Sequence, residues 1–486
     1  MIEGLKPYPA YKDSGVPWLG GVPEHWEMER AKWLFRKMDR PVRDADEVVT
    51  CFRDGAVTLR KNRRVRGFTE SLKEIGYQGI RRGDLVIHAM DAFAGAVGVA
   101  DSDGKGTPVY SVCEPASTAN AHYYAYAVRE MARSRWIQAL AKGIRERSTD
   151  FRFEGFGSQP VPLPPLPDQA AIVRFLDHEE RRIRCYIRAK QKLIKLLEEQ
   201  KQAIIDQVIT AGFLSRLPLN VLGLPQQVQS HSDWVSCSVR HLIQTRRLEI
   251  QDGNHGELHP KASDYVAEGI PFLMANNVRP EALDLKHCAR LTEEHARSLR
   301  IGFARSGDVL MTHKATIGQI GLVPHEIAWP FLMLTPQVTY YRTLTPDLDG
   351  KYLFWYFQSS QFREQLSILS LNQSTRKYIG LLEQRNLVIC FPPRERQKEA
   401  VRMCDVETNA TDLAIEDARH EIALLREYRT RLIVNVVTGK VDVREAAARL
   451  PDDAEEPEPF DGADNLTDAE EETGEDLDAV LEEAEA

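Results

Sequence analysis

Two stretches decide the fold, and they are copies of each other: 164-PPLPDQAAIVRFLDHEERRIRCYIRAKQKLIKLLEEQKQAIIDQVIT-210 and 392-PPRERQKEAVRMCDVETNATDLAIEDARHEIALLREYRTRLIVNVVT-438. They align without a gap over 47 residues at an offset of 228, and 15 positions are identical. Chance does not produce a gapless match of this length. We therefore interpret it as an internal duplication, which fixes the architecture before any other feature is considered.

Each copy predicts one long helix. Its Pro-Pro pair ends any earlier element, and apolar residues then recur three, four or seven apart on one face. About 40 residues at a rise of 1.5 Å make a rod of roughly 60 Å. Such a rod has one narrow stripe to bury and its copy offers a matching one, so we expect an antiparallel coiled coil. The alternative is that each helix covers only its own domain. The residues expected to pair the helices are Ile187, Ile194, Leu197, Ile415, Ile422 and Leu425.

The duplication extends to the globular parts. The segment 82-RGDLVIH-88 resembles 306-SGDVLMT-312, and Gly-Asp before an apolar run predicts a tight turn that enters a strand. We expect an α+β fold in which two similar mixed α/β domains are separated and joined by two long antiparallel coiled-coil helices, as a pseudo-two-fold internal repeat. The predicted segments are a first domain with its N-terminal extension at 1–160, a central helix at 161–215, a second domain at 216–390, a C-terminal helix at 391–445 and an acidic tail at 446–486.

The composition is that of a soluble protein with two or three domains. The chain has 486 residues, of which 43% are hydrophobic. It has no apolar run long enough to cross a bilayer and no signal segment at its N-terminus. Its seven cysteines are scattered without a CxxC pair, which argues against a zinc site or a disulfide framework and suits a reducing compartment. We therefore expect a cytoplasmic protein that does not contact a membrane.

The net charge of −9 hides a basic body. Residues 451–486 hold 17 Asp and Glu but no Lys or Arg, so the rest of the chain carries 63 basic against 55 acidic residues. A segment this acidic cannot bury enough apolar surface to fold, and we expect it to be disordered. The basic body is compatible with binding nucleic acid. The tail either shields basic grooves as a mimic of DNA or makes the chain more soluble.

No stretch makes a convincing active site. The segment 153-FEGFG-157 spells the FxGxG of an adenine methyltransferase loop, but prolines follow where a helix should receive the cofactor. The two acids of 346-PDLDGK-351 stand too close for a nuclease site, and a turn with an Asp capping a helix explains them better. His255 and His259 lack companions of metal-ligand type. We expect no catalytic residue, no metal and no cofactor in this chain.

Several polar segments predict contacts with DNA. The loop 60-RKNRRVRG-67 is dense in the cations that contact phosphates. Two segments of the second half mix amides, which suit adenine edges, with arginine, which suits guanine. In each case the alternative is structural, namely a solvated charge run or ordinary turn residues. The candidate DNA-binding residues are Arg60, Lys61, Arg63, Arg64, Arg66, Lys261, Asn276, Asn277, Lys314, Gln373, Arg376 and Lys377.

Three features together resemble one protein family. They are 11-YKDSG-15 with 23-PEHW-26, then 250-IQDGNHG-256 with 269-GIPFL-273, and the duplicated Pro-Pro-x-x-x-Gln helix. From residue 1 to about 445 the chain resembles the specificity subunits of type I restriction-modification enzymes. The acidic tail lies outside the family pattern. The region of 143-GIR-145 departs from the usual Gly/Ser-Thr-Gln run, to which 372-NQST-375 is closer.

The resemblance implies a subunit without catalytic activity of its own. Each domain would read one half of a bipartite target in double-stranded DNA, and the paired helices would set the distance between the halves. Two methyltransferase subunits would dock on the helices, bring S-adenosylmethionine and flip the adenine. Restriction subunits would join them to cleave phage DNA. The alternatives are a self-contained DNA methyltransferase or nuclease with its own recognition domains, and a coiled-coil scaffold without a role at DNA.

Overall fold

The computed structural model describes residues 5–63, 75–140, 150–210, 234–314, 316–371 and 378–451. The chain divides into two compact units by its internal contacts, and each unit contains one globular domain with a length of both long helices. The first unit combines residues 1–190 with 421–486, and the second unit comprises residues 191–420.

The strands are short, and most have three or four residues. Those of the first domain are β1 (Tyr11–Asp13), β2 (Gly21–Pro23), β3 (Glu27–Arg30), β4 (Phe35–Lys37), β5 (Val49–Cys51), β6 (Val57–Leu59), β7 (Gln78–Ile80), β8 (Leu85–His88), β9 (Val97–Val99), β10 (Gly104–Gly106), β11 (Tyr110–Pro115) and β12 (Pro160–Leu163). Those of the second domain are β13 (Val235–Ser238), β14 (Leu248–Gln251), β15 (Ile270–Leu273), β16 (Ala289–Leu291), β17 (Phe303–Ala304), β18 (Val309–Thr312), β19 (Ile320–Leu322), β20 (Leu332–Leu334), β21 (Val338–Thr343) and β22 (Val388–Phe391).

Two helices are far longer than the others. In chain order the helices are α1 (Ala31–Leu34), α2 (Ala121–Arg133), α3 (Trp136–Leu140), α4 (Phe153–Gly157), α5 (Leu166–Thr210), α6 (Val239–Gln244), α7 (Glu293–Ser298), α8 (Gly350–Gln358), α9 (Ser360–Leu371), α10 (Leu381–Gln384), α11 (Arg394–Val437) and α12 (Arg444–Ala448). The long helices α5 and α11 have 45 and 44 residues and begin just after the two Pro-Pro pairs.

Both domains are built on the same antiparallel sheet. Its strand order is β4-β11-β8-β9 in the first domain and β14-β21-β18-β19 in the second. In each domain an early strand also pairs with the last strand before the long helix. These pairs are β3 with β12 and β13 with β22. The order is preserved strand by strand, which confirms the predicted duplication of a mixed α/β domain.

The second domain carries a sheet that the sequence did not lead us to expect. Its strand order is β16-β15-β20-β17, and β15 and β20 pair in parallel. All four residues of β15 are buried, so this strand lacks the alternation of apolar and polar residues by which a half-exposed strand is recognised. The first domain has two small antiparallel strand pairs in the corresponding part of the chain, β5 with β6 and β7 with β10.

The two long helices run antiparallel within each unit. In the first unit Glu180 pairs with Arg429 at 3.1 Å, and Lys190 pairs with Glu421 at 2.6 Å. The partner's number falls as the α5 number rises, which defines an antiparallel pair. The same reversal holds in the second unit, where the pairs are Glu198 with Arg419 and Lys201 with Asp412. The predicted antiparallel pairing of the helices is confirmed.

An apolar stripe lies between the helices. Ile415 and Ile422 are buried, while Ile187, Ile194 and Leu197 are half-buried, as is Leu425 on α11. Ile187 and Leu425 pack against the core of the first unit. Exposed charged residues occupy the remaining faces, so each helix contributes one narrow face to the interior.

A buried glutamine fastens each long helix to its domain. The side-chain oxygen of Gln169 accepts a hydrogen bond from the backbone N–H of Asn120 at 2.8 Å, and that of Gln397 accepts one from the N–H of Asp349, also at 2.8 Å. Each amide nitrogen donates to two backbone carbonyls at the junction. Asn120 and Asp349 themselves cap α2 and α8. The glutamine of the Pro-Pro-x-x-x-Gln motif therefore joins the start of the long helix to the start of a domain helix.

A second matched contact lies two turns farther along each long helix. The Tyr126 hydroxyl donates to Asp177 at 2.9 Å, and the Trp355 indole donates to Asp405 at 3.1 Å. Asp177 and Asp405 occupy equivalent positions in the duplicated helices. Each domain thus contacts its long helix at two separate points. Two points fix the orientation of the domain on that helix, whereas a single point would let it pivot.

The segment after α11 folds back onto the first domain. Asp442 forms a backbone bridge with Lys6, and Gly439 lies against Pro23 and Trp26. Gly439 has a φ of +73°, and an added Cβ would lie 2.4 Å from the Pro23 ring, so no larger residue fits there. The segment then continues through α12 to the last described residue, Pro451.

Candidate nucleic-acid interface

One edge of the four-stranded sheet in the second domain collects polar side chains. Strands β14 and β18 end at this edge and β21 begins there, because the strands are antiparallel. The residues that follow or precede these ends, together with Tyr378, form the strand-end site. Its members are Asp252, His255, His313, Lys314, Thr335 and Tyr378.

The loop after β14 is tightly built. The buried carboxylate of Asp252 lies 2.8 Å from Nε2 of the exposed His255. The Asn254 side chain donates to the carbonyl of Ile301, which ties the loop to a neighbouring segment. Gly253 packs so closely on the Leu334 backbone that an added Cβ would lie 1.9 Å from its carbonyl oxygen. The 250-IQDGNHG-256 motif therefore encodes a rigid loop that presents one imidazole to solvent.

His313 lies beneath this loop in the interior. It is 0% exposed, its Nδ1 lies 2.8 Å from the Thr339 hydroxyl, and its ring stands 5.5 Å from that of Tyr378. Burial lowers the pKa of His313 to about 4, so its ring is neutral at neutral pH. Within the described part of the chain, neither Nε2 of His313 nor the hydroxyl of Thr335 has a hydrogen-bond partner. Such buried atoms are commonly satisfied by an ordered water.

Two of the predicted DNA-binding residues of the second domain are exposed on loops at strand ends. Lys314 is exposed, forms a backbone bridge with Tyr378, and has no carboxylate within 4 Å among the described residues. Asn276 is exposed on the turn after β15. Lys261 is exposed on a separate loop, where its backbone N–H is capped by Asp264. Gln373, Arg376 and Lys377 lie outside the described residues.

Asn277 does not fit its predicted role. It is only 4% exposed, and its side-chain oxygen accepts a hydrogen bond from the Met274 N–H at 2.9 Å. The side chain thus stabilises the turn and has no face for a base. Asn276, and not Asn277, stays in the candidate interface. A turn asparagine and a base-reading asparagine have the same chemistry, which is why the sequence did not separate them.

The described cations of the basic loop in the first domain have partners within the domain. Lys61 pairs with Glu47 at 2.5 Å, and Arg63 pairs with Asp54 at 2.6 Å. The Arg60 side chain approaches the Thr50 hydroxyl at 3.4 Å. These contacts hold the loop on the β5–β6 hairpin but leave Lys61 largely exposed. Arg64 and Arg66 lie outside the described residues, and phosphate binding by this loop stays a prediction.

The same sheet edge in the first domain has a related arrangement. His88 ends β8, its Nδ1 accepts a hydrogen bond from the Asp91 N–H, and its ring lies 5.1 Å from that of Tyr110. Burial lowers the pKa of His88. The chain returns to this edge through the Phe151 N–H, which donates to the carbonyl of Ala89, as the Ile379 N–H donates to His313 in the second domain. Both domains therefore bring a late segment of the chain back to the same strand ends.

The comparisons with known proteins agree with this duplicated architecture. The chain is 21% identical over 290 residues to the type I restriction enzyme EcoBI specificity subunit of Escherichia coli, an alignment that spans 58% of each protein. It is 19% identical over 449 residues to a putative type I restriction enzyme MjaX specificity subunit of Methanocaldococcus jannaschii, covering 88% of this chain and 96% of that one. No protein-family model matches the chain. The resemblance to type I specificity subunits is confirmed.

A solved structure shows the fold of this family. A chain from a study of "complex assembly and conformational transition of the type I R-M system" superposes with a TM-score of 0.55 at 17% identity. It covers 86% of this chain and 98% of the other. The likeness in fold therefore extends over most of this chain.

The segments that imitate catalytic motifs have structural roles. The residues of 153-FEGFG-157 form the short helix α4, and Asp349 caps α8 with its side chain, as its sequence context predicts. Within the described ranges, no three His, Cys, Asp or Glu side chains are grouped so that they could hold a metal ion. In the same ranges, no helix is long and apolar enough to cross a lipid bilayer.

Sequence reasoning did not identify His313 as a member of the strand-end site, nor the contacts that the motif glutamines Gln169 and Gln397 make outside that site. His313 is a single histidine without a spacing pattern, so nothing in the sequence distinguished it from an exposed one. Gln169 and Gln397 did carry a signal, because they are identical in the two copies and the surrounding positions are not. Identity between internal repeats at a polar position indicated a shared contact.

Proposed function

We propose that the chain is the DNA-recognition subunit of a type I restriction-modification system and catalyses no reaction itself. The observation that carries this proposal is the matched pair of domains, each fastened to a long helix by the same buried glutamine. Two similar readers on one antiparallel helix pair suit a bipartite target in double-stranded DNA, with one domain on each half. The exposed residues of the strand-end site, His255 and Lys314, are the contacts that we assign to DNA in the second domain.

The catalytic steps belong to partners in this proposal. Two methyltransferase subunits dock on the two long helices, bind S-adenosylmethionine and flip the target base, and restriction subunits join them. Leu196 and Leu424 support this docking. They occupy equivalent positions in the two helices and are 53% and 50% exposed. The same exposed leucine on each helix offers an equivalent apolar contact to each of two identical partners.

The decisive experiment changes the length of the helix pair. Insertion of four residues into each helix, near Gln191 and Arg419, lengthens each by about 6 Å. At about 3.4 Å per base pair, the gap between the two recognised half-sequences should grow by one or two base pairs, while both half-sequences stay the same. Methylation mapping of the DNA of cells that carry the variant system gives the half-sequences and the gap together.

Two results would contradict the proposal. The first is an unchanged gap in a variant that still methylates DNA, because the helices would then not set the spacing. The second is methyl transfer to DNA by the purified chain alone with S-adenosylmethionine, because the chain would then be a self-contained methyltransferase. A variant with the four residues inserted between residues 211 and 233, after the last residue of α5, is the matched control and should keep the original gap.

A smaller change tests the strand-end site. Lys314→Ala should weaken binding of double-stranded DNA and lower the slope of log affinity against log salt by about 1, because one phosphate contact is lost. Fluorescence anisotropy with a labelled target duplex at several salt concentrations measures both quantities. Lys398→Ala removes an exposed lysine near the start of α11, where it pairs with Glu395, and serves as the control. Equal salt slopes for the two variants would remove Lys314 from the interface.

A further inference from the structure

The outward face of α5 carries a basic stripe. Arg174, Arg181, Arg188 and Lys195 recur every seven residues, which is close to two helical turns, so they share one face. All four are exposed. The buried residues Ile172, Leu176 and Ile183 lie on the opposite face of the same helix. The basic stripe is therefore the side of α5 that points away from the core.

Three of the four cations of this stripe lack carboxylate partners in the described part of the chain. No acid oxygen lies within 4 Å of Arg181, Arg188 or Lys195 there, although the rest of α5 is rich in ion pairs. The side chain of Arg181 donates only to the backbone carbonyl of Asp177. Neighbouring cations of the stripe are about 10 Å apart along the helix, which is about one Debye length at 0.1 M salt, so their positive potentials still add for an anion that lies along this face.

The duplicated helix shows that the stripe is not a property of the repeat. The α11 residues at the equivalent positions are Arg402, Asn409, Glu416 and Ala423. Only the first position has kept its charge in both copies. The two helices agree at the residues that fasten the domains and differ at this outward face, so the face serves something that is present once in the chain.

The acidic tail is present once, and it leaves the fold beside the stripe. Arg174, the first residue of the stripe, donates to the carbonyl oxygens of Leu450 at 2.6 Å and Pro451 at 3.1 Å. Pro451 is the last described residue, and residues 452–486 hold 17 Asp and Glu with no Lys or Arg. Five of these acids fall within 452–458.

The lengths agree. The stripe from Arg174 to Lys195 spans about 31 Å at the helical rise of 1.5 Å per residue. An extended chain covers that distance in about ten residues, and 35 residues follow Pro451. We propose that the acidic tail, residues 452–486, docks on the basic stripe of α5 in the same chain and covers it against other polyanions. This docking goes beyond the proposed function and does not depend on it.

Proteolysis of the full-length chain tests the docking. An endoprotease specific for glutamate should cut the tail about five to ten times more slowly in the wild type than in Arg181→Gln/Arg188→Gln/Lys195→Gln at about 50 mM salt, because three surface attractions are lost. The difference should vanish at about 0.5 M salt, where such charges are screened. The control Arg394→Gln/Arg402→Gln/Arg431→Gln removes three exposed charges from α11 and should behave like the wild type.

A second measurement needs no substitution. A carbodiimide couples an amine to a carboxylate only when they touch, so mass spectrometry of the treated wild type should find Lys195 joined to residues of 452–486. Equal cleavage of the wild type and the stripe variant at low salt, or the absence of any cross-link from the tail to α5, would overturn the proposal. A stripe variant that loses binding of unrelated duplex DNA while its tail is cut at the wild-type rate would assign the stripe to DNA instead.

Discussion

Arg342→Met is expected to lower the stability of the second domain by about 3–5 kcal/mol, because it leaves a buried carboxylate without its partner. Arg342 donates through Nε to Asp308 at 2.9 Å and through Nη2 to the other oxygen at 2.7 Å. Asp308 is 1% exposed. Burial raises the pKa of Asp308 even though Arg342 acts to lower it. Without Arg342, the charged form of Asp308 would therefore be strongly disfavoured in the folded state.

The loss should depend on pH. Asp308 in the variant can take up a proton, and a buried carboxyl group with a raised pKa binds more protons in the folded state than in the unfolded state. Stability is therefore retained near pH 4, about the pKa of an unperturbed aspartate, and is lost as the pH rises above that value. Hydrogen exchange of the β18 and β21 amides at pH 5 and pH 7 measures the stability of this domain alone.

The first domain supplies the matched control. Arg36 and Glu114 are cross-strand neighbours at the place that Glu249 and Arg342 hold in the second domain. The Arg36 side chain is 73% exposed, so Arg36→Met should cost less than about 1 kcal/mol. An equally small effect of Arg342→Met would show that the Asp308 carboxylate is not buried in solution.

Leu196→Arg combined with Leu424→Arg is expected to abolish assembly with methyltransferase subunits. A buried charge at the centre of an interface costs at least about 2 kcal/mol at each position, or about 30-fold in affinity. Each single substitution should remove one of the two subunits, because the leucines lie on different helices at equivalent positions. Native mass spectrometry of the reconstituted complex gives the stoichiometry directly.

The folded chain should tolerate these two changes, since both side chains are about half exposed. Leu344→Arg places the same charge on an exposed leucine of the second domain, 46% exposed, and should leave two methyltransferase subunits bound. A double variant that still assembles with two subunits would exclude this face of the helices as the docking surface. Loss of both subunits from either single variant would instead indicate that the two docking events are coupled.

The parts of the fold that were predictable are those with a local period. The long helices were predictable because an apolar residue recurs every three or four positions without interruption for about 40 residues. The turns at Asp84 and Asp308 were predictable from the Gly-Asp pair before an apolar run. Both glycines do adopt the positive φ that such turns require, +93° and +82°. The fold class follows once the two copies are aligned.

The parts that escaped prediction depend on contacts between distant segments. The four-stranded sheet around β15 consists of strands of two to four residues, too short for a periodic signal. The burial of His313 depends on residues far away in the sequence, among them Thr339 on β21 and Tyr378. Lys314, by contrast, was selected for its charge alone, and the structure places it exposed beside Tyr378.

The charged cross-strand pair between the edge strand of each four-stranded sheet and its neighbour has exchanged its charges between the two halves. In the first domain the arginine stands on β4 and the glutamate on β11, whereas in the second the glutamate stands on β14 and the arginine on β21. A recombinant that joined β4 of the first domain to β21 of the second would set Arg36 against Arg342. Like charges directly opposite each other destabilise a strand pair, so a crossover within the sheet would carry an electrostatic cost that an exchange of the whole sheet avoids.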